Sequence, residues 1–241
     1  MSFSAETLFY AALGGVVPAL IWLYFLLRED ARCPEPRSLI IVAFVAGMLA
    51  VPVSLPLEHL AVLTLPEGSP PPGEAVILAW AFIEEAVKLV LAVVLVLWRR
   101  EVNESVDFVV YMITVALGFA AVENMLFLIS PLMNGQLAAG IATQNLRFIG
   151  STLVHVVSSA LIGFAFALTL GAHRSLRTLF VLIGLILAVA LHGLFNFFII
   201  LRDGTATMTA FTTVWIATVM FLALLEVLKY FRYRHLPKNT C

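Results

Sequence analysis

Seven apolar runs of about 20 residues each, long enough to cross a bilayer as helices, alternate with short polar stretches along the chain. They run from Thr7 to Leu27, Ser38 to Leu57, Ala75 to Trp98, Phe108 to Ile129, Leu146 to Ala172, Leu179 to Leu201 and Met208 to Phe231. The pattern predicts an all-α, polytopic bundle of about seven transmembrane spans, hence a multi-pass protein of the cell membrane. Pro18 falls inside the first run, and Pro52 and Pro56 fall towards the end of the second, where they are expected to kink or end the helix. The stretch Glu67-Gly68-Ser69-Pro70-Pro71-Pro72-Gly73-Glu74 reads as a loop. No basic stretch precedes the first run and no small-residue cleavage motif follows it, so it is expected to stay as a helix.

Composition sharpens this picture. The chain is 62% hydrophobic and only 12% charged, with a mean hydropathy of +1.04, which excludes a soluble globular domain. It is expected to form a single transmembrane domain over 1–241, with a core at 75–201 and scaffold helices at 7–57 and 208–231. A net charge of -1 gives no sign of a nucleic-acid partner. Cys33 and Cys241 stand in separate polar stretches and suggest neither a disulfide framework nor a zinc knuckle. Basic residues cluster in alternate loops: Arg28, Arg32 and Arg37, then Arg99 and Arg100, then Arg174 and Arg177, then Lys229, Arg232, Arg234 and Lys238. Only Arg147 and Arg202 fall on the other side, so the N-terminus is expected outside and the C-terminus in the cytoplasm.

Ionisable residues inside the third to sixth runs call for a function, because each costs about 2.5 to 3.5 kcal/mol at the centre of a span. The third run carries Glu84, Glu85 and Lys88. On a helix Lys88 reaches either acid but fully neutralises one, which leaves a surplus carboxylate. The fourth run carries Glu123 and Asn124; the fifth carries Arg147, Ser151 and His155 at i,i+4 spacing; the sixth carries His192 and Asn196 at the same spacing. Counted from the ends of their runs, Glu84, Glu123, His155 and His192 all fall in the outer half of the membrane. Helices that alternate in direction have no reason to level their polar residues unless those residues share one cavity. Such a set suits acid/base chemistry, with a carboxylate as proton acceptor, a histidine to hold water or an oxyanion, and an asparagine amide as a donor. Neither a nucleophilic cysteine nor an H-E-x-x-H zinc motif is present.

The series Glu84-Glu85-x-x-Lys88, Phe119-x-x-x-Glu123-Asn124, His155 ahead of Gly163-Phe164-Ala165, and His192-x-x-x-Asn196 resembles the PrsW family of intramembrane proteases. That family is related to the CAAX prenyl endopeptidases and Abi proteins and, more distantly, to the Aph subunit of γ-secretase. The resemblance implies a glutamic-type endopeptidase that needs neither metal nor other cofactor. It also implies a membrane-anchored protein substrate, such as an anti-sigma factor, cut near the extracytoplasmic face of the lipid bilayer. Under it, Glu84 or Glu85 activates water with His155, and His192 with Asn196 stabilises the oxyanion. Lys88 orients the other acid, and Glu123 orients His155 or takes the place of a water ligand. Here the lysine comes one position earlier than the arginine of the CAAX pattern, and Glu123 stands where that pattern has histidine, which argues against prenyl-protein processing. The competing expectations are a proton- or cation-coupled transporter, a di-metal site on Glu84, Glu85, Glu123, His155 and His192, and a non-catalytic membrane scaffold.

Overall fold

A computed structural model describes residues 4–29, 34–66, 72–201 and 204–234. Arg32, Cys33, Arg202, Lys238, Cys241 and 67–71 of the expected loop lie outside the described residues. The helices are α1 (Ala5–Glu29), α2 (Arg37–Thr64), α3 (Glu74–Ala92), α4 (Ser105–Met133), α5 (Leu137–Leu146), α6 (Thr152–Leu168), α7 (Arg174–Leu201) and α8 (Gly204–Arg234). A π-helical turn, Val93–Leu97, extends α3, and another, Arg147–Ser151, joins α5 to α6.

Six helical stretches have the length and apolarity to cross a membrane, and α5 to α6 counts as one of them, Leu137–Leu168. The seventh expected span is α3 with its π turn, about 36 Å long at about 1.5 Å per residue. Its charged residues, not its length, set it apart from the six. They are tolerated because α3 packs against α2, α4, α6 and α7, so that Glu84, Glu85 and Lys88 are buried in protein.

The centre of the bundle is α4, whose apolar window is 89% buried against 22% for α8. Its crossing with α2 is close enough that a Cβ on Gly47 would lie 1.9 Å from the Val115 carbonyl oxygen, and one on Gly118 the same distance from that of Phe44. Small residues let transmembrane backbones touch in this way. The contact fixes the turn of α4 that carries Phe119 and Glu123.

Two boundaries differ most from the sequence expectation. Helix α2 continues through Pro52 and Pro56 to Thr64, so Glu58 is helical instead of lying in a loop. The fifth span begins at Leu137, not Leu146, because Thr143, Gln144 and Asn145 lower its apolarity without breaking the helix. Arg147 therefore lies inside the span, and His155 stands deeper along its own helix than counting from Leu146 suggests.

Candidate active site

Four helices bring the predicted polar residues together. On α3, Lys88 Nζ lies 2.5 Å from Glu85 Oε1, so its charge is spent on Glu85 and the surplus acid is Glu84. Glu85 also accepts from Ser159 Oγ at 3.1 Å and pairs with His192 Nδ1 at 2.9 Å. On α4, Glu123 Oε2 lies 2.7 Å from His155 Nε2 and 2.8 Å from the Arg147 guanidinium. Arg147 Nε donates to Asn124 Oδ1 at 2.6 Å, and Asn124 Nδ2 donates to Thr152 Oγ1 at 3.1 Å. The Arg147 guanidinium also stacks 3.9 Å over the ring of Phe127. Phe119 closes the floor, its ring 5.1 Å from that of His155 and 4.7 Å from Lys88 Nζ.

These pairings fix the histidine tautomers. An ionised carboxylate only accepts, so Glu123 requires a proton on His155 Nε2, and Glu85 requires one on His192 Nδ1. The remaining nitrogens, His155 Nδ1 and His192 Nε2, are left as acceptors. Each lies 3.8 Å from Glu84 Oε2. The two rings meet edge to face with centroids 4.8 Å apart. Glu84 Oε2 is itself buried and has no hydrogen-bond partner among the described residues. Three acceptor atoms thus converge on one point: the Glu84 oxygen and two imidazole nitrogens held by carboxylates behind them, His155 Nδ1 also accepting from Lys88 Nζ at 3.2 Å. His192 in this tautomer has no proton on Nε2 to donate, whereas the expected oxyanion role calls for a donor there.

The cluster opens into a cavity of about 740 Å³ lined by Glu84, Glu123, Arg147, Ser151 and Asn196 among others. Asn196 makes no hydrogen bond among the described residues and is half-buried on the cavity wall. Its lining residues lie towards the C-terminal ends of α2, α4 and α7 and the N-terminal ends of α3 and α8, with Leu146, Arg147 and Ser151 from the junction of α5 and α6. Helices α2 and α8 contribute walls as well, through Val51, Leu55 and Glu58 and through Thr207 and Phe211.

Sequence reasoning passed over Glu58 and Thr152, and it noted Ser159 as a polar residue of the fifth run without placing it in the candidate site. The two hydroxyl residues carry no signal above that of ordinary transmembrane Ser and Thr. Glu58 was hidden by Pro56, read as a helix end. Glu84, His155 and His192 also have the chemistry and spacing to hold one metal ion, their ligand atoms lying within 4.8 Å of one another. No local motif announces this set, because its members come from three separate helices.

The family described as "PrsW family intramembrane metalloprotease" matches residues 35–225. Proteins named Protease PrsW are similar over most of the chain. That of Clostridioides difficile (strain 630) is 24% identical, covering 78% of this chain and 78% of its own. That of Geobacillus kaustophilus (strain HTA426) is 29% identical over 78% and 79%. That of Oceanobacillus iheyensis (strain DSM 14371 / CIP 107618 / JCM 11309 / KCTC 3954 / HTE831) is 27% identical over 94% and 95%. No solved structure gives a significant match. With a family match across most of its length and buried carboxylates and histidines gathered at a membrane-embedded cavity, the chain belongs to the PrsW family of intramembrane proteases.

Proposed function

We propose that this protease cleaves membrane-anchored proteins with a water molecule held where Glu84 Oε2, His155 Nδ1 and His192 Nε2 converge. The observation that carries the reading is the unpartnered Glu84 oxygen, 3.8 Å from both imidazole nitrogens in an otherwise paired cluster. Burying a carboxylate oxygen without a partner is costly, so it is retained for something that arrives there.

Water at that point donates to Glu84 and to the His192 Nε2 lone pair, which leaves its own lone pair free for a carbonyl carbon. As the oxygen attacks, its proton passes to Glu84 and the carbonyl π electrons move to the oxygen, where the Asn196 amide donates to the oxyanion. The proton then moves from Glu84 to the amide nitrogen as the C–N bond breaks, giving a carboxylic acid and an amine. Glu85 and Glu123 act behind the histidines, holding their tautomers, while Lys88 and Arg147 balance those two charges. The cavity opens at the end away from Arg28, Arg37, Arg99, Arg100, Arg174 and Arg177, so we place the cut on the extracytoplasmic side. A membrane-anchored anti-sigma factor is a substrate of suitable topology.

A second reading is favoured by the donor set. Two neutral imidazoles and a carboxylate, each histidine backed by a carboxylate, match the ligands of a catalytic zinc-type centre, and the matched family is described as a metalloprotease. Glu84, His155 and His192 would hold the ion, which would supply Lewis acidity and make the water more acidic. Against it, Lys88 Nζ lies 3.2 Å from His155 Nδ1 and engages the lone pair that a metal needs. We therefore keep the metal-free form as the first reading.

Chelation separates the two. Protein in proteoliposomes treated with a strong chelator should retain cleavage of a single-span substrate and carry no stoichiometric metal. One equivalent of metal per chain, with activity lost on its removal and restored on its return, would assign the water to the metal form. Orientation has its own check: Ser130→Cys and Thr207→Cys, both on the cavity wall, should react with impermeant thiol reagents only from outside the cell.

A further inference from the structure

The cavity contains one acid that the chemistry above does not use. Glu58 lines the same cavity as Glu84, Glu123 and Arg147, and no cation lies within ion-pair distance of its carboxylate among the described residues. The contrast with its neighbours is sharp. Glu85 is neutralised by Lys88 and Glu123 by Arg147, so the one cation lining the cavity among the described residues is already committed. Glu58 is also held in place: the Trp80 indole donates to its backbone carbonyl at 3.3 Å, tying that turn of α2 to α3.

Its position relative to the reacting atoms follows from the helix. Trp80 stands one turn outward of Glu84 on α3, about 6 Å along the axis. An extended peptide advances about 3.3 Å per residue, so a substrate residue level with the Trp80 turn, to which the Glu58 backbone is tied, would stand about two positions from the bond that Glu84 serves. A carboxylate with a fixed backbone and no counter-ion among the described residues, in a site walled by Val51, Leu55, Trp80 and Phe195, discriminates strongly between a basic and an acidic side chain.

We infer that Glu58 is a specificity-determining residue that selects a lysine or arginine about two residues to the outer side of the scissile bond. This rests on the peptidase reading above and adds the class of sequence that the site accepts.

The test is a library of single-span peptides with eight randomised residues at the outer end of the apolar segment, cleaved in proteoliposomes and read by mass spectrometry. Wild type should enrich Lys and Arg over Asp and Glu about 10- to 30-fold at one fixed subsite. Glu58→Gln should flatten that subsite while leaving the others unchanged, and Glu58→Lys should invert it in favour of Asp and Glu. Because the readout is a ranking within each reaction, a lower yield of folded variant does not obscure it. An identical profile in all three proteins, or a uniform loss across all peptides, would overturn the assignment. Failure of wild type to cut any member would instead remove the peptidase reading on which it rests.

Discussion

Helix α4 carries a buried acidic cluster near each end, and the two differ in what their oxygens face. Near its start, Asp107 Oδ2 accepts from the backbone N–H groups of Asn103 and Glu104 at 2.9 and 2.7 Å, closing a capping box. Tyr111 donates to Glu35, which shares a side-chain hydrogen bond with Asp107. These contacts tie the segment before α2 to the first turns of α4. Towards the other end, Glu123 works with Glu84, Glu85 and two histidines, and the unpartnered Glu84 oxygen belongs to a residue that borders a large cavity. Burial, acidity and one buried carboxylate oxygen without a hydrogen-bond partner, Asp107 Oδ1 in the first and Glu84 Oε2 in the second, are common to both clusters. What distinguishes the cluster proposed as catalytic is convergence of acceptor atoms beside a space that another molecule can enter.

The comparison breaks first on the histidines. His155→Ala and His192→Ala should each lower the cleavage rate by about 10³-fold, within the range for loss of a group that holds or activates the nucleophile. A rate assay corrected for folded protein checks this; a loss below tenfold in both would make the catalytic cluster as structural as the other. Next comes Lys88→Met, which leaves Glu85 buried without its cation and should cost about 3 to 5 kcal/mol of stability. Thermal unfolding in detergent reads this, and an unchanged midpoint would contradict the pairing at 2.5 Å. Glu123→Gln keeps the shape of the side chain but weakens its hold on the His155 tautomer, so a 10- to 100-fold loss of rate is expected with near-normal stability. The smallest effect belongs to the other end of α4. Asp107→Asn should cost about 1 to 2 kcal/mol through the cap and leave the rate per folded molecule unchanged. A selective loss of rate there would mean that the two clusters communicate.

Much of the site was legible in the sequence because charge inside an apolar run is costly, and its residues therefore stand out. Glu84, Glu85 and Lys88 at helical spacing predicted a pair and a surplus acid; the structure identifies the surplus as Glu84, a choice that i,i+3 and i,i+4 geometry leaves open. His155 and His192 were visible, but not their tautomers, which depend on Glu123 and Glu85 from other helices. Thr143, Gln144 and Asn145 interrupt the apolar run without breaking the helix, so the start of the fifth span was misplaced. Glu58 was missed because a proline near a run's end usually closes a helix. Here α2 has protein contacts on α3 and α4 that carry it two more turns.

The central claim is that Glu84 accepts the proton of the attacking water, and replacing it with glutamine tests that most directly. Glu84→Gln preserves side-chain shape and an oxygen acceptor but removes the capacity to take a proton. Purified, reconstituted and compared with wild type on one single-span substrate, it should lose at least about 10²-fold in rate while unfolding at the wild-type temperature or above. Cleavage within threefold of wild type by a fully folded Glu84→Gln protein would contradict the account.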